Sequence, residues 1–476
     1  MTMMMKALRV AMAAYVGAAL LGAAGCGGGG GGGGSPPPPV TPPSPPTSPP
    51  PPPPPGVQGI QIDSSTTYQT MTGWEVNVDT FWPAAYRPYI DRIVAGVVDD
   101  VGIDRVRVEV VAGAENPVDY FTQFAQGQIS ETEWANRRYD VINDNSNPNS
   151  VNAAGFNFTQ LNWNMDNSVL PIRNRLAQSG RSLFINLCYV AMDESQASEH
   201  TVAAEYAEFI TAAAQHMRTR YGISPDAIEV ILEPDNDSIN LWSGRLMGEA
   251  MAAAGPRLQA AGFTPRFIAP STLDLGRALT YLDGIASVSG ALQYLDEVSY
   301  HRYGGATTSN LTALVNRARQ LNKKTSMLEW WFGNATYEVL HQDLTLGNVS
   351  SWQGRAFPDL YVIDNGNIRL VDDYRYNLQY FRYIRRGATR IGATSDSATF
   401  APVAFINPDG SRTVVVKAEG AGTVRINGLP SGNYRVSWAT SAGSNQLASP
   451  IAVQSGNPLS TNMPGRGVIT ITSLAN

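Results

Sequence analysis

The chain has 476 residues, long enough for two domains that each bury a core. Its formal net charge of -6 carries no basic footprint and excludes nucleic acid as a partner class. With only 2 cysteines, Cys26 and Cys188, a disulfide framework and a thiolate metal site are excluded as well.

Residues 1–26 read as a processing segment: Lys6 and Arg9 form a basic start, and 10–21 are apolar. The stretch Ala23-Ala24-Gly25-Cys26 resembles a bacterial lipobox, with Cys26 as the lipidated residue, although Ala replaces the usual Leu. An ordinary signal peptide cut nearby is the alternative, and both imply export. The apolar run is too short for a good membrane span. A glycine run and a proline-rich run follow over 27–55. The proline-rich part, at about 3.1 Å per residue, gives a tether of roughly 60 Å.

Structured patterning starts at Gly59. Residues 61–70 read as a strand pair, and 71–79 as a strand. Further strand signals fall at 102–110, 183–189, 228–233, 267–270, 297–301 and 325–329, and a weaker one at 360–363. In 102–110, Arg105, Arg107 and Glu109 share one face by period two. Helical patterns at 203–221, 243–261 and 311–321 fill the gaps. Eight strands alternating with helices predict a closed (β/α)8 barrel of the α/β class. The asparagine-rich interval 112–163 reads as an extended rim loop beside a substrate cleft. From 389 onward, short alternating strands separated by turns such as Asn407–Gly410 predict a side-associated β-sandwich. The expected division is therefore leader 1–26, linker 27–55, barrel 56–385 and sandwich 386–476. Residues 56–70 are open to pairing with the sandwich, because they precede the first barrel strand and need a sheet to join.

Two strand signals end in carboxylates. Residues 228–236 read I-E-V-I-L-E-P-D-N, where Pro234 stops the ladder after Glu233, and 324–331 read K-T-S-M-L-E-W-W, ending at Glu329. A barrel keeps its chemistry at the C-terminal ends of its strands. Two acids there, with Trp330 and Trp331 beside one of them, point to glycoside hydrolysis. The 20 Tyr and 9 Trp suit sugar faces, and suit ordinary packing equally well. Either glutamate alone reads as readily as a structural salt bridge. Trp82, Trp163, Trp242 and Trp352 fall near candidate rim loops, as core or as platforms. His200, His216 and His341 read as solvated, and Cys188 as buried. No carboxylate or His cluster has metal-ligand spacing, and no cofactor motif is present.

Several motifs, in order, resemble glycoside hydrolase family 30 over residues 57–476. They are the stretch from Gln69 to Trp74, Arg105-Val106, Glu233-Pro234-Asp235, Tyr300-His301-Arg302-Tyr303-Gly304-Gly305, and the passage 380–394 into the sandwich. The resemblance implies a (β/α)8 barrel with a side sandwich and a two-glutamate retaining mechanism, with Glu329 as nucleophile and Glu233 as acid/base. It assigns Arg105 and Tyr303 as hydrogen-bond donors to Glu329. His301 would bind a sugar hydroxyl or brace Glu233, or be structural. Of Trp330 and Trp331, one would stack on a sugar and the other pack in the wall. Glu75 and Asp235 would bind hydroxyls, or serve as a cap or loop brace. The family's Asn before the acid/base is Leu232 here, its glycines after the first Gly-aromatic pair are Glu75-Val76, and its tryptophan motif is missing around 186–192. The implied protein is an exported, monomeric β-glycosidase tethered to a membrane by lipid and acting on a polysaccharide or its oligosaccharides. A glycan-binding protein on a decayed barrel and an envelope-glycan transglycosylase are the alternatives.

Overall fold

The computed structural model describes residues 59–78, 86–192, 197–236, 242–331 and 333–474. The leader with Cys26, the linker and Trp82 lie outside the described residues. Ile60–Thr70 forms β1, and eight parallel strands then close into a barrel. They are β2 (Gly73–Asn77), β3 (Arg105–Val111), β4 (Phe184–Val190), β5 (Ala227–Glu229), β6 (Phe267–Asp274), β7 (Leu295–Gly304), β8 (Lys324–Glu329) and β9 (Val349–Trp352). The seam is sealed where Gly73 and Trp74 pair with Ser351 and Trp352.

β3 shows how the sequence builds this wall. Val106, Val108 and Val110 enter the main apolar core beneath the helices. Arg105, Arg107 and Glu109 alternate with them and face the barrel axis. Every residue of the strand is buried, because one face is covered by helices and the other by the barrel's own filling. The helices Ala203–Tyr221, Gly244–Ala260, Leu275–Ala286 and Thr308–Gln320 belong to the outer layer. Their ends follow local rules. The Ser243 side chain accepts from the Leu246 N–H at one start, and left-handed Gly222 closes the helix that ends at Tyr221.

The eighth barrel strand is not the segment expected at 360–363. It is β9, whose sequence V-S-S-W lacks an apolar run. Residues Tyr361–Asp364 (β10) instead pair with Asn367–Leu370 (β11) in a two-stranded hairpin. Asn365 and Gly366 both take positive φ, 48° and 75°, as a two-residue hairpin turn requires. Trp352 is therefore a buried barrel residue, and Trp242 is core as well. The interval 112–163 holds the short helices Tyr120–Ala125, Glu131–Arg137 and Thr159–Asn164 and is not a plain loop.

The C-terminal strands are β12 (Thr389–Ser395), β13 (Phe400–Ile406), β14 (Arg412–Ala418), β15 (Gly422–Asn427), β16 (Gly432–Thr440), β17 (Gly443–Gln446), β18 (Ile451–Val453), β19 (Leu459–Met463) and β20 (Gly467–Ser473). They join β1 in one strip of hydrogen-bonded strands. Val424 and Leu459 from one end of the strip share an apolar cluster with Val436 and Ile469 from the other, so the strip folds into two layers. β1 lies inside it, antiparallel to β12 and parallel to β15. Period two also joins sandwich to barrel. Val414 and Val416 fill the sandwich, while Val415 between them enters the main core with Phe405, Phe381 and Ile384. Among the described residues, no helix is long and apolar enough to cross a membrane.

Candidate active site

The chain places Glu233 and Glu329 together at the C-terminal end of the barrel. Glu329 ends β8. Glu233 follows β5 and sits in the left-handed region at φ 50°, a costly conformation for a side chain larger than glycine. Its backbone N–H donates to the Ser271 carbonyl at 3.1 Å. Pro234 follows directly, so the ladder stops and the carboxyl turns inward. Both side chains are buried, and one atom each of Glu233, Glu329 and His301 lie within 4.8 Å of one another.

The two carboxyls have different surroundings. Glu329 receives a donor on each oxygen: the Arg107 guanidinium on Oε2 at 2.6 Å and the Tyr303 hydroxyl on Oε1 at 2.9 Å. Burial raises its carboxyl on balance, and the Arg107 guanidinium offsets part of that rise. Among the described residues, no guanidinium contacts Glu233. His301 Nδ1 shares a hydrogen bond with its Oε1 at 3.0 Å, and the Asn236 amide donates to Oε2 at 3.4 Å. Burial pushes Glu233 up to about 7. His301 is itself fully buried and pushed down, which holds its imidazole neutral.

Arg105, expected on Glu329, is elsewhere. It stands one tier lower, bound to Glu75 at 2.5 Å and to both oxygens of Glu297 at 2.8 and 3.0 Å. Arg107, the next inward residue of β3, takes the place assigned to it. Glu75 is thus spent in a buried ion pair within the barrel and is not a hydroxyl binder. Asp235 is a loop brace: its carboxylate accepts from the Leu273 and Asp274 N–H groups at 2.6 and 3.1 Å. Burial raises Asp235 to about 6. Trp330 packs against the main core. Trp331 lies over Arg107, with 6.0 Å from guanidinium to ring, and its buried indole N–H has no acceptor among the described residues.

Gly304 and Gly305 let the loop after Tyr303 close. A Cβ on Gly305 would stand 2.2 Å from Asp274 Oδ1, and one on Gly304 2.7 Å from the same carboxylate. Leu232 is buried with Cys188 and Val190 in a small apolar cluster. Two of the histidines expected in solvent are internal. His200 bonds Tyr189 and Glu115, each at 2.8 Å, and His341 bonds Tyr380 at 3.0 Å. His216 is half-buried against Asn162. The sequence reading also passed over Glu229. One of its oxygens accepts from the Asn186 amide at 2.8 Å, and the other is buried without a partner among the described residues. Its inward position is legible from period two, counting back from Ile231 and Glu233. Glu233, His301 and Glu329 are close enough to ligate a metal ion, but Arg107 already supplies a positive charge to that cluster.

Residues 387–471 match the model of the glycosyl hydrolase family 30 beta sandwich domain. The fold as a whole is that of solved family 30 proteins. The chain's fold is family 30-like. A subfamily 8 xylanase of the family from Clostridium acetobutylicum is similar with a TM-score of 0.64 at 15% identity, covering 88% of this chain and 100% of that one. The catalytic domain of xylanase C of the family from Talaromyces cellulolyticus has a TM-score of 0.63 at 16% identity, over 87% and 100%. An endo-beta1,6-glucanase has a TM-score of 0.60 at 15% identity, over 88% and 95%. No curated protein matches this chain by sequence. At these identities the common property is the fold.

Proposed function

We propose that this family 30-like chain is a retaining β-glycoside hydrolase that acts on a polysaccharide or its oligosaccharides. The observation that carries the reading is the asymmetry of two buried carboxyls within 4.8 Å. Retaining hydrolysis calls for carboxyls about 5–5.5 Å apart, one ionised and one protonated. Glu329 is aimed by Arg107 and Tyr303 on its two oxygens, and the Arg107 charge favours its ionised form against the burial that raises it. Glu233, desolvated and pushed up to about 7, is equipped to hold a proton.

In this reading a Glu329 oxygen attacks the anomeric carbon while Glu233 gives its proton to the departing glycosidic oxygen. Glu233, now ionised, then takes a proton from water, whose oxygen displaces Glu329 and restores the anomeric configuration. The basic leader segment, Cys26 and the proline-rich run support an exported protein tethered by lipid at Cys26. The glycan-binding alternative rested on Leu232. The complete set of Glu233, Glu329, Arg107 and Tyr303 favours catalysis instead.

The test is a product screen of wild type and Glu329→Gln on β-linked plant, fungal and bacterial polysaccharides, with the first product's anomer read by proton NMR. Sugars released only by the wild type, with retained configuration, are the expected result. An inverted product would sink the retaining mechanism. Silence together with retention on an immobilised glycan would make the chain a binding protein, and longer chains would make it a transglycosylase. The pH profile of kcat/KM should fall on the alkaline side near pH 7 as Glu233 loses its proton.

A further inference from the structure

The guanidinium that steadies Glu329 serves a second carboxylate. The Arg107 nitrogen that donates to Glu329 Oε2 at 2.6 Å also lies 3.3 Å from Oε1 of Glu109. Period two sets this up, because Arg107 and Glu109 are successive inward residues of β3, Glu109 nearer its C-terminal end. The side chains of Arg107, Glu109 and Glu329 are 0%, 7% and 6% exposed, so solvent screens their charges little. Arg107 has few other partners. Its second terminal nitrogen is 3.5 Å from the Leu328 carbonyl, and its buried Nε has no acceptor among the described residues. Glu109 is itself held in place, since its Oε1 accepts from the Asn77 amide on β2 at 2.7 Å. Two carboxylates thus share one guanidinium, and the buried trio carries one negative charge in excess.

Resting on the retaining reading, we propose that Glu109 is a positioning residue that takes over as counter-ion of Arg107 while the sugar is held covalently on Glu329. In the first step a Glu329 oxygen bonds to the anomeric carbon. The glycosidic oxygen departs with the electron pair of its bond and receives the Glu233 proton. Glu329 is then a neutral ester, and its hold on Arg107 shrinks to that of an uncharged acceptor. A guanidinium left without a counter-charge in this buried place is costly, and Glu109 already stands 3.3 Å away to supply one. In the second step a water oxygen bonds to the anomeric carbon, and a water proton goes to Glu233. The electron pair of the ester bond returns to Glu329, which pairs with Arg107 again. Glu109 therefore favours the covalent state over the free one. It opposes the charge of Glu329 while that carboxylate is free, and it balances Arg107 once the carboxylate is esterified.

The experiment times the two steps separately in wild type and in Glu109→Gln, which keeps the shape and removes the charge. The probe is the dinitrophenyl β-glycoside of the sugar released in the product screen, fluorinated beside the anomeric carbon so that both steps are slow. Release of dinitrophenolate times the first step, and intact mass follows the loss of the sugar from Glu329 in the second. The ratio of the first rate to the second should fall by about fivefold or more in Glu109→Gln, through a slower first step and an unchanged or faster second one. A smaller fall would overturn the proposal, and so would equal slowing of both steps, the mark of a site merely loosened. A wild type that never carries the sugar on Glu329 would overturn the retaining reading, and this role with it. A labelled wild type with an unchanged ratio in the variant would overturn this role alone. Should Glu109→Gln fail to fold by circular dichroism, Glu109→Ser removes the same charge and is judged by the same ratio.

Discussion

Arg105 and Arg107 stand two residues apart on one face of β3, yet they serve different glutamates. Arg107→Met should lower kcat by about 10²-fold or more, since it removes a charged donor from Glu329 in a buried site. Arg105→Met should act on stability. It strands Glu75 and Glu297 without a counter-charge, a loss of about 3–5 kcal/mol readable by denaturant unfolding. A kinetic defect in Arg105→Met with unchanged stability would contradict this assignment. The sequence alone left room for the wrong choice, because Arg-Val occurs twice running, at Arg105-Val106 and Arg107-Val108. Nearness to the C-terminal end of the strand would have picked Arg107. That Glu233 and Glu329 come together at one end of the barrel was legible because Pro234 and the Trp330-Trp331 pair mark where their strands stop. Glu229 was hidden inside an apolar run. Its negative charge is among the effects that raise Glu233. Glu229→Gln should therefore lower the Glu233 pKa and move the alkaline limb of the kcat/KM profile to lower pH. An unmoved or raised limb would remove Glu229 from the machinery.

Among the elements, the β7 terminus is tightly constrained. Gly305 has φ 56° and no room for a Cβ beside Asp274. Gly305→Ala should cost about 1–3 kcal/mol in a thermal or denaturant melt. It should also lower kcat, because Tyr303, two residues before it, holds Glu329. The Gly-Gly pair announced this turn in the sequence, and Asn365-Gly366 announced a hairpin that the reading overlooked. β9 gave no such signal. Four residues with two serines form a strand because β2 and β8 offer open edges on either side, a tertiary cause that no local pattern contains. His200 and His341 were misplaced for a related reason. Their partners, Glu115 and Tyr380, are brought to them from distant parts of the chain.

At the scale of the molecule, alternation did most of the work of prediction. Strand and helix periods in turn describe a barrel, and short strands with turn clusters describe a sandwich. What period two does not reveal is that the sandwich uses both faces. Phe405, Val415 and Val468 are buried in the same core as Phe381 and Ile384. Barrel and sandwich should therefore unfold together, in one calorimetric transition for residues 56–476. Two well-separated transitions would show that the shared core contributes little. Gln379 and Tyr383 strengthen the joint, bonding Ser437, Thr413 and Thr470 across it.

The position of β1 bears on mechanics. The described chain begins at Gly59 and at once becomes an inner strand, flanked by β12 and β15. A pull on the N-terminal side is met along the strand axis, in shear, by two rows of hydrogen bonds that must yield together. The load enters the sandwich, at a distance in sequence from the strand ends that carry Glu233 and Glu329. A chain loaded from its N-terminal side thus bears traction at its leading strand while Glu233 and Glu329 keep their spacing.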